Sequence, residues 1–321
     1  MGRMIVTLTA NPSIDRAVTL SAPLEVGEVQ SATDAREDAG GKGVNVARVI
    51  AAAGRATLAV VPVGDHDPYR ELLATTGIPV RAVASAGRVR ANLTVTDPAG
   101  TTTKINLPGP VMDAGGAAEL TAAVVEACAD ADWLVLAGSV PPGAGETFYT
   151  DVIRAVRDAW GDRAPRVAVD ASGAALEAVV RDGRPDLIKP NDEELAALVR
   201  EDPSGDVDLV SEAVRRARTV VPSHAAAALV TLGGAGALLV TGDEVLRAVA
   251  PKIAVVSTVG AGDSSLAGYL LADVAGAAPA ERLANAVAYG AAAAMLPGTQ
   301  APTPADLPPG SIRVLPFVPA H

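Results

Sequence analysis

The sequence predicts a doubly wound α/β fold: a mostly parallel sheet flanked by helices on both faces, with a small β-sheet lid. Three observations predict it. From Ala117 onward helical and strand periods alternate regularly, the pattern of βα units that build a parallel sheet. Two stretches, about 16–36 and 88–108, break that rhythm with short apolar–polar alternation, as half-buried strands do. The 321 residues are 49% hydrophobic but only 2% aromatic, so a large core must be made of Ala, Val and Leu. No linker or repeat divides the chain, which reads as one domain over 1–321.

Residues 5–9 read as a strand that stops at the turn signal Asn11-Pro12. Gly40-Gly41-Lys42-Gly43 opens a helix over 44–53, and Gly54 closes it. A buried strand over 58–63 and a helix over 69–76 follow, the latter ended by Gly77. In the first lid stretch Val18, Leu20, Val26 and Val29 are spaced for short strands. In the second, Leu93 and Val95 alternate with polar neighbours, Asp97-Pro98-Ala99-Gly100 makes a turn, and 101–107 alternates again as the return of a hairpin. Helices over 118–129, 146–160 and 174–181 then alternate with strands over 133–137, 166–170 and 186–189. Two helical segments, a strand over 228–232, a helical run over 266–274 and a last strand over 312–315 complete the chain. Parallel sheets bind ligands at the carboxyl ends of their strands. Gly138-Ser139, Asp170-Ala171-Ser172, Lys189-Pro190-Asn191 and Thr231-Leu232-Gly233 all fall there, although such loops use Gly, Ser, Asp and Pro in any case.

Charge and composition narrow the function. The net charge is -11, from 26 Lys+Arg against 37 Asp+Glu. Such a protein repels nucleic acid and anionic membranes, so a phosphate ligand needs a local cluster of donors. Cys128 is the only cysteine, so no intramolecular disulfide forms. His66, His224 and His321 lack metal-ligand spacing. The start Met1-Gly2-Arg3-Met4 leads straight into a strand, with no signal peptide, and no apolar run is long enough to span a membrane. The expected compartment is the cytoplasm, and the Asn92-Leu93-Thr94 glycosylation match is incidental.

The strongest chemical signal is Ser257-Thr258-Val259-Gly260-Ala261-Gly262-Asp263-Ser264 before the apolar helix. A glycine-rich entry to a helix presents free N–H groups at the positive end of the helix dipole, an anion hole for a transferring phosphoryl group. Asp263 lies beside it, placed to take the proton of an attacking hydroxyl. A plain helix start, with Gly262 or Asp263 as a cap, is the other reading of this segment alone. Other glycine motifs are excluded. Gly41-Lys42 is followed by Gly43, so there is no P-loop, and Val46 and Ser265 stand where a dinucleotide fingerprint needs its third glycine.

Asn11-Pro12-Ser13-Ile14-Asp15, the run from Gly40 to Ala47, Lys189-Pro190-Asn191-x-x-Glu194, Thr231-Leu232-Gly233-x-x-Gly236 and Gly260-Ala261-Gly262-Asp263 occur in this order over nearly the whole chain. In this the sequence resembles the ribokinase-like carbohydrate kinases. The resemblance implies Asp263 as catalytic base and Gly260, Ala261 and Gly262 as its anion hole. It implies Asp15, Gly41, Lys42, Asn45, Asn92 and Ser139 on the sugar. Lys189, Asn191, Thr231, Gly233 and Gly236 would hold ATP, and Glu194 would organise Mg²⁺ through water. Thr9-Ala10-Asn11, Ser257-Thr258-Val259 and Arg90-Ala91-Asn92 are similar to the phosphosugar branch of the family. There Arg90 would grip the phosphate already on the substrate, unless it is a solvated lid charge. The implied reaction is ATP-dependent phosphorylation of a ketohexose phosphate, fructose 1-phosphate first, with tagatose 6-phosphate and fructose 6-phosphate as alternatives. A non-catalytic sugar-phosphate-binding module is the remote one. The family also implies a homodimer through the lid.

Overall fold

The structure is a computed structural model that describes residues 4–201 and 208–318. Residues 1–3 of the N-terminal reading and His321 lie outside the described residues. The chain begins with β1 (Met4–Leu8), β2 (Ser13–Leu20), β3 (Ala32–Gly40), α1 (Lys42–Ala52), β4 (Ala56–Pro62), α2 (Tyr69–Thr75) and β5 (Val80–Val83). It continues with β6 (Arg90–Thr96), β7 (Thr102–Asn106), α3 (Ala114–Ala127), β8 (Ala131–Ala137), α4 (Phe148–Trp160), β9 (Arg166–Asp170) and α5 (Gly173–Ala178). Next come β10 (Leu187–Ile188), α6 (Asp192–Val199), α7 (Leu209–Val220), β11 (Ala227–Thr231), β12 (Ala237–Thr241) and β13 (Val245–Ala248). The last elements are α8 (Ala261–Val274), α9 (Pro279–Ala294) and β14 (Val314–Pro316).

Ten strands form the main sheet in the order β14-β13-β12-β11-β10-β9-β8-β1-β4-β5. From β5 to β11 neighbours run parallel, whereas β11 to β14 are antiparallel. Its central strands are apolar on both faces, as burial under two helical layers demands. One face is covered by Leu120 and Val124 of α3, Val152 and Ile153 of α4, and Val210 and Ala217 of α7. The other is covered by Val46 and Ile50 of α1, Leu266 and Leu270 of α8, and Leu283 of α9.

At the amino ends of the strands, buried Asp273 of α8 accepts a hydrogen bond from Trp133 Nε1 (2.8 Å) and pairs with Arg282 (2.7 Å) and Arg166. The Arg166 guanidinium lies 4.4 Å from the Trp133 ring centroid, a cation–π contact. This cluster locks the end of the sheet opposite to the ligand-binding end.

The second sheet has the order β3-β2-β6-β7. Here the sequence reading needs correction. Val26 and Val29 are in no strand: they are 99% and 101% exposed in the β2–β3 connection. The partner of β2 is β3, an acidic segment of low strand propensity that forms because β2 offers it an edge to pair with. The helix expected from Ala174 to Arg181 ends at Ala178 and opens into a wider turn, and the helix expected from 266 starts at Ala261, so Asp263 stands in its first turn. Strands β5, β12 and β13 and helix α9 are additional to the sequence reading.

Candidate active site

The carboxyl ends of β1, β8, β9, β10 and β11 face the small sheet across a cavity of about 920 Å³. All of the sequence-derived site residues line it: Asp15, Gly41, Lys42, Asn45, Arg90, Asn92, Ser139, Lys189, Asn191, Glu194, Thr231, Gly233, Gly236 and the segment from Gly260 to Asp263.

The floor is built by close approach. Helix α1 starts directly over the end of β1, and a Cβ on Gly43 would lie 2.5 Å from Thr9 Oγ1 and 2.7 Å from the Leu8 carbonyl oxygen. Only glycine lets the helix come this near. Its first turn thereby brings Lys42 and Asn45 to the first turn of α8. Asn45 Nδ2 donates to Asp263 Oδ2 at 2.8 Å. Asp263 is 6% exposed, and burial pushes its carboxyl up to about 6, with the charge of Asp170 adding to the effect and Lys42, Asn45 and Lys189 opposing it. Helix α8 has no side-chain cap. The Ala261 amide turns back to the Thr258 carbonyl (3.4 Å), so an anion at this helix start would have to be held by the later amides of the turn. A Cβ on Gly262 would lie 3.3 Å from Lys189 Nζ, which puts that ammonium against the first turn of α8.

The lid contributes one face of its sheet. Register places Asp15 beside Asn92, and Asn92 beside Asn106. Asp15 Oδ1 accepts from Ser13 Oγ (2.7 Å) and Asn92 Nδ2 (3.0 Å). Burial raises the Asp15 pKa against those two hydrogen bonds. Arg90 is no freely solvated charge. It is half-buried and donates to the Leu107 carbonyl (3.3 Å) and to Ser139 Oγ (3.5 Å), across from the main sheet. The side-chain oxygens of Asn11, Asn45 and Asn92 and Nε of Arg90 are buried without a partner. Unpaired buried polar atoms are costly, and these four line one cavity, ready for a ligand rich in hydroxyls and anionic oxygen.

On the other side of the cavity, the turn after β11 carries Gly233 and Gly236. Gly236 has φ 103°, and a Cβ there would collide with the Ala248 carbonyl, so the turn needs glycine. Ala250, Pro251, Ile253, Val287 and Ala291 form an apolar wall beside it. Asn191 and Glu194 cap α6 reciprocally: Asn191 Oδ1 accepts from the Glu194 amide (2.7 Å), and Glu194 Oε2 accepts from the Asn191 amide (3.0 Å). The Glu194 carboxylate, held by one oxygen, stays at the cavity.

Asn11, Lys104 and Asn106 also line the cavity, and the sequence reading gave them no role. Asp170, which the sequence reading named only among the strand-end candidates, is fully buried between Lys42 Nζ (2.7 Å) and Lys189 Nζ (3.1 Å). Three of the four lysines in the chain line the cavity, a local positive cluster in an acidic protein.

The sequence matches the description pfkB family carbohydrate kinase over residues 8–306. It is 34% identical to the 1-phosphofructokinase of Rhodobacter capsulatus, over 89% of this chain and 90% of that one. It is 33% identical to the ATP-dependent 6-phosphofructokinase isozyme 2 of Escherichia coli strain K12, over 92% and 94%. The crystal structure of Escherichia coli phosphofructokinase-2 in complex with substrates and products is similar with a TM-score of 0.83 at 33% identity, covering 94% of this chain and 96% of that one. With nearly its whole length matched, the chain belongs to the pfkB family of carbohydrate kinases and has the ribokinase-like fold.

Proposed function

We propose that this protein transfers the γ-phosphoryl group of ATP to the 6-hydroxyl of fructose 1-phosphate, giving fructose 1,6-bisphosphate and ADP. The observation that carries the reading is Asp263, a buried carboxylate in the first turn of an uncapped helix, facing a cavity with sugar-type donors on one side and an apolar slot on the other. Relatives named 1-phosphofructokinase, at 34% and 35% identity, favour this acceptor.

The sugar phosphate lies between floor and lid. Asp15 and Asn92 take its hydroxyls, Asn45 orients both sugar and Asp263, and Arg90 with Ser139 grips its phosphate. The adenine fills the apolar slot, and Thr231, Gly233 and Gly236 line its entry. Asp263 accepts the proton of the 6-hydroxyl as that oxygen attacks the γ-phosphorus and the bond to the β-phosphate oxygen breaks. The amides of the glycine turn, with Lys189 behind them, stabilise the charge on the transferring group.

The Glu194 donor set fits Mg²⁺. Among the described residues no cluster of three or more His, Cys, Asp or Glu is placed to hold a metal, and Mg²⁺ favours few carboxylates together with water and phosphate oxygens. Bound there through water, it would neutralise the charge of the nucleotide phosphates.

The outer face of the small sheet carries Val18, Leu93, Val95 and Ile105, in register on β2, β6 and β7. This band supports a homodimer through the lids. The substrates are cytoplasmic metabolites, so the reading puts the protein in the cytoplasm.

The test is coupled ADP release with Mg·ATP and, in parallel, fructose 1-phosphate, fructose 6-phosphate, tagatose 6-phosphate and fructose. The highest kcat/KM is expected with fructose 1-phosphate. A preference for fructose 6-phosphate, the acceptor bound in one solved structure of the Escherichia coli relative, would keep the mechanism and change the acceptor. Turnover of free fructose alone would overturn the role given to Arg90.

A further inference from the structure

Asp170 ends β9, which lies between β8 and β10 in the main sheet. On the β8 side the Lys42 stem packs 3.9 Å from the Cβ position of Gly138, and on the β10 side Lys189 follows the strand and reaches Gly262. Both ammoniums converge on the one carboxylate, Lys42 on Oδ1 and Lys189 on Oδ2. The first is an aligned hydrogen bond. The second is an ionic contact, since Oδ2 has no hydrogen-bond partner. The Asp170 side chain has no exposure and that of Lys189 has 5%, whereas Lys42 keeps 37% toward the cavity.

We propose that Asp170 is a positioning residue, a shared counter-ion that holds Lys42 at the sugar half and Lys189 at the nucleotide half on either side of the catalytic carboxylate. Lysine is a point charge on a flexible stem. Two such charges repel unless something pins them, and a buried carboxylate bridging both fixes their separation. The charges agree with this geometry. Burial alone would raise the Asp170 carboxyl, but the two lysines hold it below the usual carboxylate range. Burial would lower Lys42, but Asp170 and Asp263 keep it charged. The charged or donor groups facing Asp263 are Lys42 and Asn45 from α1, Asp170 from β9 and Lys189 after β10. The triad of two lysines and Asp170 thus presents a net charge of one positive to Asp263, tuned by one carboxylate with no exposure.

The proposal rests on the phosphoryl-transfer reading, but its test does not depend on which sugar phosphate is accepted. Titration of the Asp263 carboxyl is followed without substrate by difference infrared spectroscopy, with Asp263→Asn as the blank. Alongside it, kcat and both Michaelis constants are measured with the best acceptor found. Asp170→Asn raises the net charge of the cluster, so the Asp263 titration is expected to move down by about one pH unit. Turnover should fall about tenfold or more as both lysines lose their anchor. Lys42→Met lowers the net charge, and the titration should move up. Asp170→Asn combined with Lys42→Met restores the net charge and should bring the titration back toward the parent value while turnover stays low. If Asp170→Asn does not fold, Lys42→Met and the double variant decide the matter. An Asp263 titration unchanged in every folded variant would overturn the proposal. So would an Asp170→Asn defect confined to a higher Mg²⁺ requirement, which would make the residue a metal-organising group.

Discussion

The cavity has two walls built in opposite ways. The floor is the tips of strands whose central residues are buried, such as β8, β9 and β11. Its charged groups are already paired, Asp263 with Asn45, Asp170 with two lysines and Glu194 with the Asn191 amide, while Asn11 and Asn45 each keep a buried oxygen without a partner. The lid is a single thin sheet, with β6 half-exposed along its length and β7 exposed at every residue. On its cavity side Asn92 and Arg90 still have buried unpartnered atoms. The floor is therefore preorganised for charge stabilisation, which has to be in place before the reaction. The lid has fewer packing contacts to lose and leaves polar atoms to satisfy on its cavity side, the properties of an element whose order depends on what it covers.

Substitutions can break this contrast. The largest effect is expected on the floor. Asp263→Asn should lower kcat by about 10² or more while ATP binding by calorimetry persists, and near-parental turnover would remove Asp263 from the base role. The same carboxyl should set the pH profile. Its pKa is raised to about 6 by burial, and a base works only when ionised, so kcat/KM should fall as pH drops through about 6. In the lid, Arg90→Ala should raise KM for the phosphorylated sugar by about 10-fold or more, the size of a charge-assisted hydrogen bond, with KM for ATP little changed. Equal rises in both would erase the division of labour between the walls. The smallest effect on the chemical step is expected from Ile105→Arg on the outer lid face. It should shift the mass by light scattering from dimer to monomer, and an unchanged mass would leave this face without the proposed partner.

What the sequence revealed follows the same division. The floor motifs were legible because several short signatures occur in a fixed order, and glycines such as Gly43 and Gly236 stand where no side chain fits. Asp170 was legible only as one of several strand-end candidates, because a lone Asp there resembles any loop residue. Its significance comes from Lys42, 128 positions away, and Lys189, two lysines that only folding brings to it. The β11–β12 hairpin did leave a signal, an apolar run on each side of the Gly233–Gly236 turn. The lid was legible in its β6–β7 hairpin, whose turn and alternation are local. It was illegible in β3, where pairing with β2 overrides a sequence of Ala, Asp, Arg and Glu.

The locked end of the sheet has a spectroscopic consequence. The chain has two tryptophans. Trp133 is buried beneath Arg166 at the amino end of β8, while the cavity opens at the carboxyl end of the same strand. Trp160 donates to the Val125 carbonyl on the helical layer, and it does not line the cavity either. Intrinsic emission from this protein therefore reports whether the sheet is intact and is blind to what fills the cavity. It gives every variant above an internal control: a chain with unshifted emission and altered turnover has lost chemistry, not fold.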